Sequence, residues 1–104
     1  MSIKVFFDNK AQKEFKEFAE TVQMKFDSVL KTLRESGRLD FPDGRKIDKN
    51  LYELRIKYQG EFRGLYAYII QSQIVILHFF RKKTQKTPIK DLKTAKRRLK
   101  FYER

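Results

Sequence analysis

Two hydrophobic periods follow one another at the start of the chain. Ile3, Val5 and Phe7 recur at every second position, which is the period of a β-strand with one buried face. The interval then lengthens to three or four residues as far as Leu33, the period of a helix with one apolar face. The pattern therefore predicts a short strand followed by a helical segment that ends near Ser36.

The start of this helical segment is better marked than its interior. Asn9 is a favourable N-cap residue, and Gln12 stands at the spacing of a capping box. No Gly or Pro interrupts the segment before Gly37, so periodicity alone does not distinguish one long helix from a helical pair. The β-branched Thr21 is the least favourable position for continuity.

Three β-prone runs follow a region rich in turn residues. Residues 37–50 are expected to form an ordered loop, because Pro42 and the Asp43-Gly44 pair are typical of turns. The next runs predict an antiparallel meander, in which Tyr52 and Leu54 share a buried face. The predicted strands cover residues 51–59, 62–71 and 74–83, with turns at Gly60-Glu61 and Gln71 to Gln73.

A basic helix is predicted at the C-terminal end, with Thr87 as its N-cap and Pro88 as its first residue. Its apolar stripe consists of Ile89, Leu92, Ala95, Leu99 and Tyr102. The predicted fold is therefore α+β in a single domain covering residues 1–104. A small antiparallel-rich sheet, with the first strand at its edge or centre, packs on an N-terminal helical pair and is completed by the C-terminal helix.

Positive charge is concentrated in the second half of the chain. The net charge is +12, and residues 55–104 hold 14 Lys and Arg against 3 Asp and Glu. Residues 1–54 are almost balanced, with 11 against 10. Such a one-sided field favours a polyanionic partner, because each cation set against a phosphate releases counterions. The alternative is a charged face kept for solubility.

Other features narrow the class of protein. The chain has no cysteine, so disulfides and Cys-based metal sites are excluded, and a cytoplasmic location is expected. Its longest apolar stretches are too short to span a membrane. The carboxylates are dispersed, and no phosphate-binding glycine loop is present. We therefore expect no metal and no cofactor.

Four segments of the second half resemble the signature of HigB-like toxins, the phage-derived branch of the RelE superfamily. They are Leu51-Tyr52-Glu53-Leu54-Arg55, Phe62-Arg63, the FRKKTQKTP segment from Phe80 to Pro88, and Ala95-Lys96-Arg97-Arg98. The resemblance implies a RelE-like sheet with helices on one face and an RNA-binding concavity on the other. It also implies a type II toxin that cleaves mRNA on the ribosome and is neutralised by a helix-turn-helix antitoxin.

The residues themselves suggest where a phosphate would bind. Arg55 and Lys57 share one face of their strand. Arg63 stands on an otherwise apolar half-strand, where an unpaired guanidinium is costly. It needs either a phosphate or a structural ion pair with Glu53 or Glu61, and both alternatives are open. If Arg63 binds a phosphate, Arg63→Ala should leave the fold intact. If it forms a structural ion pair, the same substitution should destabilise the fold.

We expect an endoribonuclease in which a 2′-OH attacks the adjacent phosphate without a metal ion. Arg55 and Arg63 would hold the phosphate, and Lys57, Lys82 or Lys83 would move protons; the two adjacent lysines match a lysine pair of the family. The only histidine, His78, is expected to be a hydrogen-bonded core residue. Further RNA contacts are expected at Arg81, Lys86, Lys90, Lys93 and Arg97.

Two other functional classes are compatible with the sequence. The same basic face could bind RNA or DNA without cleaving it. The amphipathic segment from Pro88 to Tyr102 could instead contact a membrane surface or a partner.

Overall fold

The structure is a computed structural model that describes residues 3–70 and 72–103. Within these ranges it contains five strands and three helices. In chain order they are β1 (Lys4–Phe7), α1 (Asn9–Lys16), α2 (Glu20–Ser36), β2 (Gly44–Asp48), β3 (Leu51–Lys57), β4 (Glu61–Ile69), β5 (Gln73–Lys82) and α3 (Ile89–Leu99). The α+β class and the helical pair are confirmed.

The strands form one sheet in the order β1-β5-β4-β3-β2. Strands β3, β4 and β5 form the predicted antiparallel meander, and β2 adds to it by pairing antiparallel with β3. Strand β1 pairs in parallel with β5, with Lys4 opposite Gln73, and so takes the edge position. Arg55 on β3 and Arg63 on β4 are direct cross-strand partners.

Helices α1 and α2 cover one face of the sheet. Their apolar stripe meets Phe79 at the centre of a cluster of aromatic rings, with ring centroids 5.0 Å from Phe15 and 5.1 Å from Phe26. Full burial of a side chain such as Phe26 stabilises the fold by about 1.5–3 kcal/mol. This face therefore carries the larger part of the aromatic core.

Helix α3 packs on the opposite face of the sheet. Ala95 and Leu99 are buried there in a second apolar cluster that includes Leu65 and Leu77. The expectation that all helices lie on one face was therefore wrong. Ile89 was also assigned wrongly to the apolar stripe, because its side chain is 71% exposed.

The helix boundaries differ from the predicted ones. Asp8 is the N-cap of α1 instead of Asn9, since its carboxylate accepts hydrogen bonds from the backbone N–H groups of Lys10 and Ala11. The break between α1 and α2 lies at residues 17–19, before Thr21. Gly37 ends α2 in the left-handed conformation, with φ of 77°, as its position suggested.

The loop and turn predictions need three corrections. Residues 37–50 are not entirely loop, because β2 pairs with β3 over Gly44–Asp48. The turn before β4 occupies residues 58–60, so Glu61 already belongs to the strand. The next predicted turn includes Gln71, which lies outside the described residues. Pro88, and not Thr87, caps α3.

Candidate functional site

A buried carboxylate stands at the centre of the most basic part of the sheet. Glu53 lies on β3, and its side chain is 0% exposed. Strand alternation directs it to the face of the sheet that α3 partly covers, on the opposite side from Leu54 and its aromatic neighbours. A buried carboxylate is costly unless cations and hydrogen-bond donors surround it.

Three arginines from three neighbouring strands converge on Glu53. Their Nε atoms lie at 3.3 Å (Arg45), 3.8 Å (Arg55) and 3.5 Å (Arg63) from Glu53 Oε1. The other carboxylate oxygen accepts a 2.9 Å hydrogen bond from the Thr87 hydroxyl. Register explains the arrangement, because Arg45 is the cross-strand partner of Glu53 and Arg63 that of Arg55.

Arg63 is the most enclosed of the three arginines. Its side chain is 2% exposed, and it also pairs with Glu61 at the start of β4. The ion pair that one of the two sequence-based alternatives required is therefore present. The Nε–H of Arg63 nevertheless makes no hydrogen bond to any residue in the described ranges. One buried N–H group in this part of the sheet therefore lacks a hydrogen-bond acceptor among the described residues.

Lys82 joins this group from the end of β5. It is buried, and burial lowers the pKa of its ammonium group; the charges of the nearby arginines lower it further, against the opposite effect of Glu53. We call Arg45, Glu53, Arg55, Arg63 and Lys82 the basic cluster. It places four cations around one buried carboxylate, so positive charge exceeds negative charge within the cluster.

A cleft of about 380 Å³ opens beside the basic cluster. Arg55 and Arg63 line it, together with Lys57, which is exposed at the end of β3. Glu61 is on the same wall, and its hydrogen bond and ion pair with Arg63 lower its pKa. The cleft therefore brings three of the five predicted catalytic residues together.

The remaining predicted residues occupy separate places. Lys83 follows β5 and is exposed, so it does not share the buried position of Lys82. Arg81 lies over the Phe62 ring, on the side of α1 and α2. Lys86 lines a second depression together with Arg45. Three predicted RNA contacts lie on the outer surface of α3: Lys90, Lys93 and Arg97.

Arg45 and the central position of Glu53 were missed by the sequence analysis. Arg45 stood in a segment predicted to be loop, and only the pairing of β2 with β3 places it beside Glu53. The available signal was the acidic residue inside LYELR, which Arg55 and Lys57 follow on the same strand face. Thr87 was assigned to helix capping, but its hydroxyl donates to Glu53.

A second ionic group fastens α1, β5 and α3 at the sheet edge. His78 Nδ1 lies 2.9 Å from Glu14 Oε1, and its Nε2 lies 2.6 Å from Asp91 Oδ1. Arg98 binds Glu14 through both terminal nitrogens, each at 2.9 Å. We call these four residues the edge network. His78 is therefore a hydrogen-bonded core histidine, as predicted.

Glu14 is the acceptor shared by the members of the edge network. Burial raises its pKa, but hydrogen bonds from His78, Arg98 and the Phe79 N–H outweigh that effect and lower the pKa to about 2. The carboxylate is therefore held in its charged form at neutral pH.

No group of three or more acidic or histidine side chains is arranged to hold a metal ion among residues 3–70 and 72–103. No helix in the same part of the chain is long and apolar enough to cross a membrane.

A family model described as Phage derived protein Gp49-like (DUF891) matches residues 13–100. The match includes the edge network and the whole of the basic cluster. No curated protein matches the chain significantly in sequence.

Several solved toxin structures share the fold. A mutant of the E. coli toxin RelE in the free state has a TM-score of 0.74 and 18% identity, covering 95% of this chain and 99% of that chain. The toxin-antitoxin complex RelBE from E. coli gives 0.66 and 19%, with coverages of 80% and 100%. The RelBE2 complex from Mycobacterium tuberculosis gives 0.62 and 14%, with coverages of 79% and 100%.

Proposed function

Because the chain belongs to the Gp49-like family of phage-derived proteins and has the RelE fold, we propose that it is a toxin that cleaves RNA. Its proposed substrate is mRNA on the ribosome, and its proposed site is the basic cluster with the adjoining cleft. The observation that carries the proposal is the excess of positive charge around Glu53, where four cations meet one buried carboxylate.

The geometry of the cluster supports a role in phosphate binding. Arg55 keeps 24% of its side chain exposed and Arg45 43%, so both can contact a phosphate without leaving Glu53. The unsatisfied Nε–H of Arg63 is a further donor within the group. Preorganised donors stabilise the extra negative charge that develops on a phosphate in the transition state.

The proposed reaction is an intramolecular transfer. The 2′-oxygen loses its proton and attacks the adjacent phosphorus, while the bond from phosphorus to the 5′-oxygen of the next nucleotide breaks. That 5′-oxygen takes up a proton, so the products are a 2′,3′-cyclic phosphate and a 5′-hydroxyl. Water and redox partners are not consumed.

Lys82 is the best supported of the candidate proton carriers. Burial lowers the pKa of its ammonium group, which favours the neutral amine that a general base requires. Lys57, exposed on the cleft, is placed to protonate the leaving oxygen. Lys83 is assigned to binding of the RNA backbone, since it is exposed beyond the strand.

A protein of this activity needs a cognate inhibitor in the same cytoplasm. We propose an antitoxin that covers the basic cluster with an acidic or apolar segment and carries a helix-turn-helix domain. Two solved relatives of the same fold are described as toxin-antitoxin complexes.

Purified protein incubated with translating ribosomes tests the proposal. We expect new mRNA ends carrying a 2′,3′-cyclic phosphate, detected by end-specific ligation and primer extension. On free RNA, cleavage should survive excess EDTA, because no carboxylate cluster in the described ranges is arranged for a metal. Induced expression should arrest growth. Intact RNA together with harmless expression of folded protein would refute the proposal.

One observation favours a second function, a non-catalytic nucleic-acid-binding module. Arg63 is committed to two carboxylates, which is typical of a structural network. Such a module would bind RNA with the same salt dependence but would create no new ends. The end-specific assay therefore separates the two functions.

A further inference from the structure

An exposed aromatic ring lies at the edge of the basic cluster. Phe41 is 72% exposed, although phenylalanine is usually buried. The guanidinium carbon of Arg55 lies over its ring, 5.4 Å from the centroid. Contact with a cation accounts for one face of the ring, and the exposure leaves the other face open to solvent.

The turn that carries Phe41 is fastened at both ends. The Gly44 N–H donates to the Asp40 carbonyl at 3.1 Å, and the Arg55 N–H donates to the Asp43 carbonyl at 2.9 Å. The second bond links the turn directly to the strand of the basic cluster. The ring is thus presented from a short, tied segment.

Phe41 lies next to Arg55, a member of the basic cluster. Arg55 contacts the ring, lies 3.8 Å from buried Glu53 through its Nε, and lines the cleft together with Pro42 and Asp43. One guanidinium therefore joins an exposed aromatic surface to the phosphate-binding group. Alternating aromatic and cationic surfaces are what bases and phosphates of a single strand require.

We propose that Phe41 is a nucleobase-stacking platform for single-stranded RNA. A base stacks on the free face of the ring while Arg55 holds the neighbouring phosphate. Stacking of this kind accepts any base, so the platform positions the strand for cleavage without reading its sequence. This inference rests on the proposed function, since it assigns a binding role within the same site.

Binding of two matched oligomers tests the platform. One is a short single-stranded RNA with 2′-O-methyl groups, which cannot be cleaved by 2′-OH attack; the other has the same backbone without bases. Fluorescence anisotropy at constant salt gives the two affinities. We expect Phe41→Ala to weaken binding of the base-containing oligomer by on the order of 10-fold to 100-fold and to leave the abasic oligomer unchanged.

Three variants serve as controls. Phe41→Trp keeps an aromatic face and should retain the wild-type preference for bases. Phe41→Leu keeps apolar area without a ring and should behave like Phe41→Ala. Phe101→Ala removes another exposed phenylalanine, 79% exposed and far along the chain, and should have no effect. Thermal unfolding of each variant checks that the fold is intact.

Each remaining outcome counts against the inference. Equal weakening of both oligomers by Phe41→Ala would show a loss of backbone contacts only, and no weakening would show that Phe41 does not bind RNA. A variant that binds and cleaves RNA normally but loses a protein partner would assign the ring to that partner. Wild-type protein that binds neither oligomer nor cleaves mRNA would overturn the proposed function as well.

Discussion

The basic cluster and the edge network are both buried ionic groups, yet they are built differently. In the edge network, Glu14 and Asp91 face both ring nitrogens of His78, and Arg98 completes the pairing. In the basic cluster, four cations share one fully buried carboxylate, and one buried N–H has no hydrogen bond among the described residues. The edge network gives each carboxylate a nitrogen partner and fastens three elements to each other, whereas the basic cluster keeps attraction for an external anion.

Among the variants that separate the two ionic groups, Arg63→Ala is expected to have the largest effect. We expect a loss of roughly 3–5 kcal/mol in the free energy of unfolding, because Glu53 would stay buried with fewer cations. Urea denaturation measures it. Arg81→Ala, which removes an exposed arginine, is the matched control and should change little. A variant as stable as the wild type would mean that Arg63 serves the ligand alone.

The next largest effect is expected for Arg55→Ala. This arginine is partly exposed, so its removal should lower the cleavage rate by on the order of 10² to 10³, about 3–4 kcal/mol, with a smaller loss of stability than Arg63→Ala. Arg38→Ala removes an exposed arginine paired with Asp40 and serves as the control. Cleavage at the wild-type rate would remove Arg55 from the catalytic group.

The edge network should respond to acid. Since the pKa of Glu14 in the folded protein is about 2, below its ordinary 4.5, its stabilisation is complete above about pH 4.5 and is lost as the pH falls toward 2. Glu14→Gln should therefore cost about 1–2 kcal/mol at neutral pH, allowing for solvent screening, and almost nothing near pH 2. A pH-independent difference from the wild type in chemical denaturation would contradict this assignment.

The smallest effect concerns the outer surface of α3. If RNA extends over this helix, Lys93→Ala should lower the slope of log affinity against log salt by about 0.7, one phosphate contact for a single strand. Stability should not change. Anisotropy titrations over a series of salt concentrations measure the slope, and an unchanged slope would confine RNA to the cleft.

Most of the architecture follows from local patterns. The periods of two and of three to four residues identify β1, the helical pair, the meander and α3, because they reflect which face of each element is buried. The break at residues 17–19 carries no Gly or Pro, so periodicity gave no position for it. The four charged residues of 44–49 concealed β2, whose pairing depends on β3 as much as on its own sequence.

The candidate site was only partly predictable, for a related reason. Arg55 and Lys57 were found because they share a strand face, and Arg63 because a lone guanidinium needs a partner. Arg45 and Glu53 become neighbours only through register between two strands, and Phe41 reaches Arg55 through the fold of a turn. Such relations between distant residues are not encoded in any one period.

The edge position of β1 also determines the order in which the sheet can form. Lys4 pairs with Gln73, and β5 is the only strand beside β1 in the described sheet. During synthesis β1 therefore stays without its strand partner until β5 has been made. Long sequence separation between partners slows folding. The basic cluster, which needs Lys82 and Thr87, can likewise assemble only after β5 and the segment that follows it have been made.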